Sequence, residues 1–251
     1  MRIKLLMLFM TSCIFVNARP HSHYRRFSKH NVSFFNESGV FEADLGYGFE
    51  SPRTAGLTVW YPSVTLRYSI DRVQLQLTTE FCSVSTGNES VSGIAELNAS
   101  AKIKINDRKG YLPSFAISPG ITIPKAATEN LSGVYWAPQL FVSADQFLTK
   151  KISVEYAGGI AWDPADFHRS YYASFNIEYS FKEFILYSDV YAVQSTSSDI
   201  RIDVGVNRNL SKCLQLDLSV GAGITKEAPS LFMGASLYFS TPTKLVRKVK
   251  I

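Results

Sequence analysis

The sequence has no long apolar run beyond its N-terminal stretch. No segment after residue 16 contains the roughly eighteen consecutive apolar residues that a helix needs to cross the hydrocarbon core of a bilayer. A helical membrane protein is therefore excluded. Two classes remain open, a soluble all-β domain and a protein that crosses a membrane with β-strands. The chain is long enough for one large domain of either kind.

Histidine is also scarce, which limits the enzyme classes that the chain could support. The sequence holds four, at His21, His23, His30 and His168. A serine hydrolase needs a histidine base with an oriented carboxylate behind it. His168 lies beside Asp166 and Ser170, but a solvated loop histidine is the favoured interpretation. The His21-x-His23 pair offers two ligands where a zinc site needs three or four. We therefore expect no enzyme activity, no metal and no cofactor.

Residues 1–18 have the order of a secretory signal peptide. A short basic start, Met1 to Lys4, precedes the apolar stretch from Leu5 to Val16, and Ala18 is a small residue at a cleavage position. We expect Sec-type export. The apolar run continues beyond Cys13, so lipid attachment at that cysteine is disfavoured.

Positive charge is concentrated in two tails around an acidic body. The basic residues of the tails are Arg19, Arg25, Arg26, Lys29, Lys244, Arg247, Lys248 and Lys250. We divide the chain into a flexible basic segment at 19–38, a body at 39–240 and a basic tail at 241–251. No nucleic-acid motif accompanies the tails, so anionic lipid headgroups are the favoured partner. An alternative is that the first tail enters the acidic body.

From Gly39 onward, apolar and polar residues alternate with the period of two that is typical of β-strands. The runs at 95–105, 200–207 and 214–221 are the clearest. Their lengths fit the about nine to eleven residues that a tilted strand needs to cross a bilayer. We predict about twelve antiparallel strands, with ten to fourteen as alternatives, near residues 39–49, 57–70, 73–81, 93–105, 112–123, 134–147, 151–162, 170–181, 183–194, 199–207, 213–224 and 230–240.

The predicted connections alternate between tight turns and generally longer loops. The longer ones fall at 50–56, 82–92, 124–133, 163–169, 195–198 and 225–229. This asymmetry is typical of bacterial outer-membrane barrels, and an even strand number brings both chain ends to the periplasmic side. Cys82 and Cys213 would lie at opposite ends of such a barrel, much farther apart than the about 5.5 Å that a disulfide allows. Two free thiols are expected.

Three features favour a membrane barrel over a soluble β-sandwich. The strands are longer than the about five or six residues usual in soluble sheets. Aromatic residues lie near strand ends, as at two water–lipid interfaces. The second face is too charged for a dry core. We predict that this face forms the polar wall of a lumen, made of Glu42, Asp44, Arg67, Glu80, Glu96, Lys102, Lys104, Asp145, Glu155, Glu178, Asp189, Asp199, Arg201, Asp203 and Asp217.

Several short motifs resemble a Gram-negative outer-membrane family, the "MetA-pathway of phenol degradation" or transporter proteins. They are the segments 62–75, 119–124, 209–221, 223–224, 228–229 and 234–239. The resemblance spans most of residues 39–240 and implies a twelve-stranded outer-membrane barrel with a transport role. Barrels of this kind commonly end on a Phe that the assembly machinery reads. Here twelve residues, Ser240 to Ile251, follow Phe239, which puts that signal in doubt.

Three functions follow as hypotheses. The first is a passive outer-membrane pore or transporter for small solutes, because rings of carboxylates favour cations in an open lumen. The second is a structural or surface-display barrel whose lumen is plugged by paired charges, with segments 82–92 and 124–133 displayed. The third, a barrel hydrolase, depends on His168. Expected partners are outer-membrane lipid, the barrel assembly machinery and a small solute, without nucleic acid. The oligomeric state is left open.

Overall fold

A computed structural model describes residues 38–51, 53, 57–86, 89–107, 112–124, 128, 133–211 and 213–241. The predicted signal peptide and nearly all of both basic tails lie outside these residues, as does the His21-x-His23 pair. In the part of the chain that is described, no helix is long and apolar enough to cross a membrane.

The described residues form twelve β-strands. In chain order they are β1 (Phe41–Ser51), β2 (Leu57–Ile70), β3 (Val73–Thr86), β4 (Glu89–Lys104), β5 (Ser114–Thr122), β6 (Ala137–Phe147), β7 (Ile152–Trp162), β8 (Arg169–Phe181), β9 (Phe184–Gln194), β10 (Ser198–Asn209), β11 (Leu214–Gly223) and β12 (Leu231–Ser240). The predicted number of strands is confirmed.

The sheet closes on itself into a barrel in which every strand is antiparallel to both neighbours. β1 joins β12 in continuous register, from Glu42 opposite Ser240 to Ser51 opposite Leu231. Closure leaves the sheet without an open first or last strand, as a hydrocarbon environment requires.

The two faces of the barrel differ because successive side chains of a strand point to opposite sides. In β1, even-numbered residues point into the lumen and are buried or half-buried, and Leu45 and Tyr47 point outward and are exposed. Other strongly exposed outward residues are Leu75, Val142, Tyr171, Leu186, Val204, Leu218 and Phe239. An apolar exterior around a polar interior inverts the usual order of a soluble protein and matches a barrel in contact with lipid.

One predicted loop is wrong. The segment 82–92, expected as a loop, continues β3 to Thr86 and begins β4 at Glu89. Ser83, Ser85 and Ser90 made this stretch resemble a loop, but the two strands pair as far as Thr86 opposite Glu89. The hairpin is thus longer than a bilayer crossing needs, and little of it is left as a loop for display.

The connections divide the barrel into a turn end and a loop end. The turn end carries both chain ends of the barrel and the connections 71–72, 105–113, 148–151, 182–183 and 210–213. The loop end carries 52–56, 87–88, 123–136, 163–168, 195–197 and 224–230. The length asymmetry is weaker than predicted, because 105–113 is long and 87–88 is short.

Two cysteines fall within the barrel, Cys82 buried in β3 and Cys213 beside the β10–β11 turn, and both are free thiols.

Candidate functional site: the charged lumen

The structure places all fifteen predicted wall residues on the inward-facing positions of their strands. Ten of them are buried, namely Glu42, Asp44, Arg67, Glu80, Lys102, Asp145, Asp189, Arg201, Asp203 and Asp217. The other five, Glu96, Lys104, Glu155, Glu178 and Asp199, are half-buried. A single alternating pattern thus brings together charges that are up to 175 positions apart in sequence.

Sequence reasoning missed a further carboxylate, Glu50. Pro52 and Ser51 suggested a loop starting at residue 50, but β1 runs to Ser51 and turns Glu50 inward, where it is 3% exposed. Among the inward positions whose side chains are described, the strands carry twelve carboxylates against four basic side chains. At these positions carboxylates therefore outnumber basic side chains three to one.

Neutral donors hold several of these carboxylates in place. Gln74 donates from Nε2 to Glu42 Oε2 at 2.6 Å, and the Tyr238 hydroxyl donates to the other Glu42 oxygen. The Tyr187 hydroxyl donates to Asp217 at 3.1 Å. These uncharged donors fix the orientation of the two carboxyl groups.

The basic residues of the wall are each close to carboxylates. Arg67 Nη2 lies 3.8 Å from Asp44 Oδ2, and Lys102, from β4, interacts electrostatically with Glu42 and with Glu155 of β7. Lys104 Nζ lies 2.6 Å from Asp107 at the turn end. The Lys102 interactions link β4 with β1 and β7, whereas the Arg67 pair joins neighbouring strands and the Lys104 pair is local.

Two aspartates stand directly opposite each other on neighbouring strands. Asp203 of β10 pairs in register with Asp189 of β9, and both are buried. Asn176 of β8, opposite Asp189 on the other side, donates an amide hydrogen to it. Like charges directly opposite each other destabilise a sheet. The wall therefore sets two carboxyl groups side by side, an arrangement that costs stability when both are ionised.

Part of the wall is aromatic, which the sequence did not indicate. The rings of Phe141 and Tyr172 meet edge to face with centroids 5.6 Å apart, packed against Ala157, Ala161 and Val193. A cavity of about 20 Å³ adjoins this cluster, and another of about 110 Å³ opens at the loop end. Both of these cavities are small for a solute pathway.

The hydrolase candidates lie at the mouth of the larger cavity. His168 and Ser170 both line it, with Asp166. The backbone N–H of His168 donates a hydrogen bond to Asp166 Oδ1 at 3.0 Å. No hydrogen bond connects the described side chains of His168 and Ser170. Within the described part of the chain, no three His, Cys, Asp or Glu residues are grouped to hold a metal ion.

A closed twelve-stranded antiparallel barrel with a lipid-type exterior and a charged interior defines the class of this protein as a membrane-spanning β-barrel. Within that class, the chain belongs to the family described as "Putative MetA-pathway of phenol degradation", whose sequence profile matches residues 31–241. The resemblance drawn from the short motifs is confirmed. A comparison with curated protein sequences finds no match.

Solved structures of similar fold are outer-membrane proteins. The COG4313 outer membrane channel from Pseudomonas putida F1 superposes with a TM-score of 0.66 at 16% identity, covering 82% of this chain and 97% of that one. The KdgM porin gives 0.57 at 13% identity, covering 80% and 99%. The NanC porin gives 0.56 at 7% identity, covering 78% and 98%. At these identities the similarity establishes the fold.

Proposed function

We propose that this protein is a passive outer-membrane pore for small solutes whose acidic lumen favours cations. The observation that carries the proposal is the excess of twelve inward carboxylates over four basic side chains in a closed barrel. Carboxylates lining a narrow passage raise the local concentration of cations and exclude anions. Transport is diffusive and uses neither nucleotide nor metal.

The cost of the acidic wall supports a functional role. A barrel that served only as an anchor could fill its interior with neutral polar residues, whereas this one keeps Asp189 opposite Asp203. Neutral donors such as Tyr187 and Gln74 position carboxylates of this wall in addition to the basic side chains nearby. Solved relatives in fold are called a channel and porins, which agrees with this role.

The proposed arrangement in the envelope follows from the two ends of the barrel. The turn end, with both barrel termini, faces the periplasm, and the loop end faces outward, as in bacterial outer-membrane barrels. Sec-type export and insertion by the barrel assembly machinery bring it there. The two basic tails then lie on the periplasmic side, next to lipid headgroups.

A plugged, structural barrel is the second candidate. It is favoured by the burial of ten wall residues and by the small size of the two cavities described above. A measurement of solute flux through the purified barrel distinguishes the two functions.

Proteoliposomes that contain the refolded protein test the proposal. Swelling in small cationic and neutral solutes, faster than in liposomes without protein, is the expected result. Barrels that are folded, as judged by a compact band in unheated gel samples, and yet show neither swelling nor single-channel steps would favour the structural role instead.

A further inference from the structure

The guanidinium of Arg201 bridges two strands that are not neighbours. Its Nε and Nη2 donate to Asp199, at 2.8 Å to Oδ1 and 2.6 Å to Oδ2 respectively. Its Nη1 donates to Glu50 on β1, although β11 and β12 separate β10 from β1. The planar, forked guanidinium can hold two carboxylates at once, which an ammonium group cannot do with the same geometry.

Two aromatic rings support this bridge. The guanidinium carbon lies 5.9 Å from the ring centroids of both Tyr191 and Phe232, within the range of cation–π attraction. The two rings are 6.2 Å apart at 62°. Phe232 can point inward because Gly221 stands opposite it, where a Cβ would come within 2.3 Å of the ring. Arg201 is thereby held by four side chains and is only 4% exposed.

The bridge lies where the outer cavity meets the lumen. Asp199, Arg201 and Tyr191 line the cavity of about 110 Å³ at the loop end. The next inward residue of β10 toward the turn end is Asp203, which does not line this cavity and is 1% exposed. The Glu50–Arg201–Asp199 bridge therefore separates the outer cavity from the rest of the charged wall.

We propose that Arg201, held between Glu50 and Asp199, is the constriction residue that determines which solutes pass through the lumen. The inference rests on the proposed pore function. The side chain narrows the passage, and its charge places one fixed cation among the carboxylates of the mouth. Removal of this side chain both widens the passage and makes it more selective for cations.

The test compares single-channel currents of wild type and variants in planar bilayers. Arg201→Ala removes the bridge but leaves the buried carboxylate of Glu50 without this cation, which can impair folding. A paired variant, Glu50→Gln with Arg201→Ala, avoids this unpaired carboxylate and still removes the bulk of the arginine, while the net charge of the two positions stays the same. Arg208→Ala is the matched control, because Arg208 belongs to the same strand but points outward, 5.2 Å from the Phe184 ring.

We expect a conductance about two-fold or more above wild type in both Arg201 variants that fold. In Arg201→Ala alone, which loses a positive charge, we also expect a reversal potential shifted toward that of the cation. The control keeps the wild-type values. Channels that form only in the Arg201 variants and not in wild type also support the constriction. Conducting wild-type channels with unchanged conductance and selectivity in the variants overturn the constriction and leave the pore intact. Absence of current in every folded protein overturns the pore and the constriction together.

Discussion

At the scale of single residues, glycines on the lumen side make room for large inward side chains. Gly221→Ala places a methyl group within 2.5 Å of both Phe232 and Asp203. We expect it to lower barrel stability by about 1–3 kcal/mol, the usual cost of overpacking. The midpoint temperature at which the compact gel band converts to the unfolded band reports this loss. Gly158→Ala is the control, since its methyl group meets only Tyr172 O at an ordinary 3.6 Å. Equal effects of both changes would contradict this interpretation.

The hydrogen bond from Tyr238 to Glu42 gives a second residue-level prediction. Tyr238→Phe removes a donor from a buried carboxylate that Gln74 also holds. A loss of about 1–3 kcal/mol in unfolding free energy is expected, because the carboxylate loses part of its solvation. Urea titration of the folded barrel in lipid vesicles measures it. Tyr179→Phe, at an exposed outward position, should change stability little. If the two variants behave alike, the hydroxyl of Tyr238 contributes nothing.

The side chains that face inward could be predicted residue by residue, but the contacts that these side chains make with one another could not. A strand has a period of two, so each strand needs only one correct assignment to place all its charges. Glu50 was missed because it adjoins a segment with Pro52. Phe232 was missed because it lies between Leu231 and Met233. In a run of three apolar residues, the sequence does not show which side chain faces inward.

At the scale of elements, two of the tight turns hold a residue with a side chain in the left-handed backbone conformation. Lys182, in the β8–β9 turn, has φ = 55°, as Asp71 has φ = 52° in the β2–β3 turn. A left-handed conformation costs a residue with a side chain about 1–2 kcal/mol. We therefore expect Lys182→Gly to raise the gel-shift temperature, offset in part by the loss of the Lys182 contact with Phe181. Glu183→Gly, which has no positive φ to relieve, should lower it. A lower temperature for Lys182→Gly would count against strain at this turn.

Element lengths were less predictable than element number. Twelve alternating segments were recognisable, but the extension of β3 and β4 was not, because Ser and Thr occur both in loops and in strands. Backbone pairing across the hairpin determines how far β3 and β4 extend, and this pairing depends on both strands together. The irregularity between Glu80 and Phe81, where the register of β3 against β4 shifts, likewise left no sequence signal.

At the scale of the whole molecule, closure joins the first strand to the last. Ladders such as Glu42 to Ser240 connect residues almost two hundred positions apart, so the barrel should unfold as one cooperative unit. We expect an unheated sample in SDS to migrate as a compact band and to shift on boiling. A single band regardless of heating would contradict a closed barrel in solution. The width of the lumen could not be predicted in the same way, since it depends on the shear of the strands and on how side chains fill the interior.

The reversal potential of the channel in a gradient of KCl tests the acidic pore most directly. The described strands carry twelve inward carboxylates and four basic side chains. This excess predicts a reversal potential with the sign of the potassium equilibrium potential. Asp189→Asn with Asp203→Asn should move it toward zero, and Arg208→Ala should leave it unchanged. A potential of the sign set by chloride, or one that does not respond to the two aspartates, would contradict cation selection by this wall.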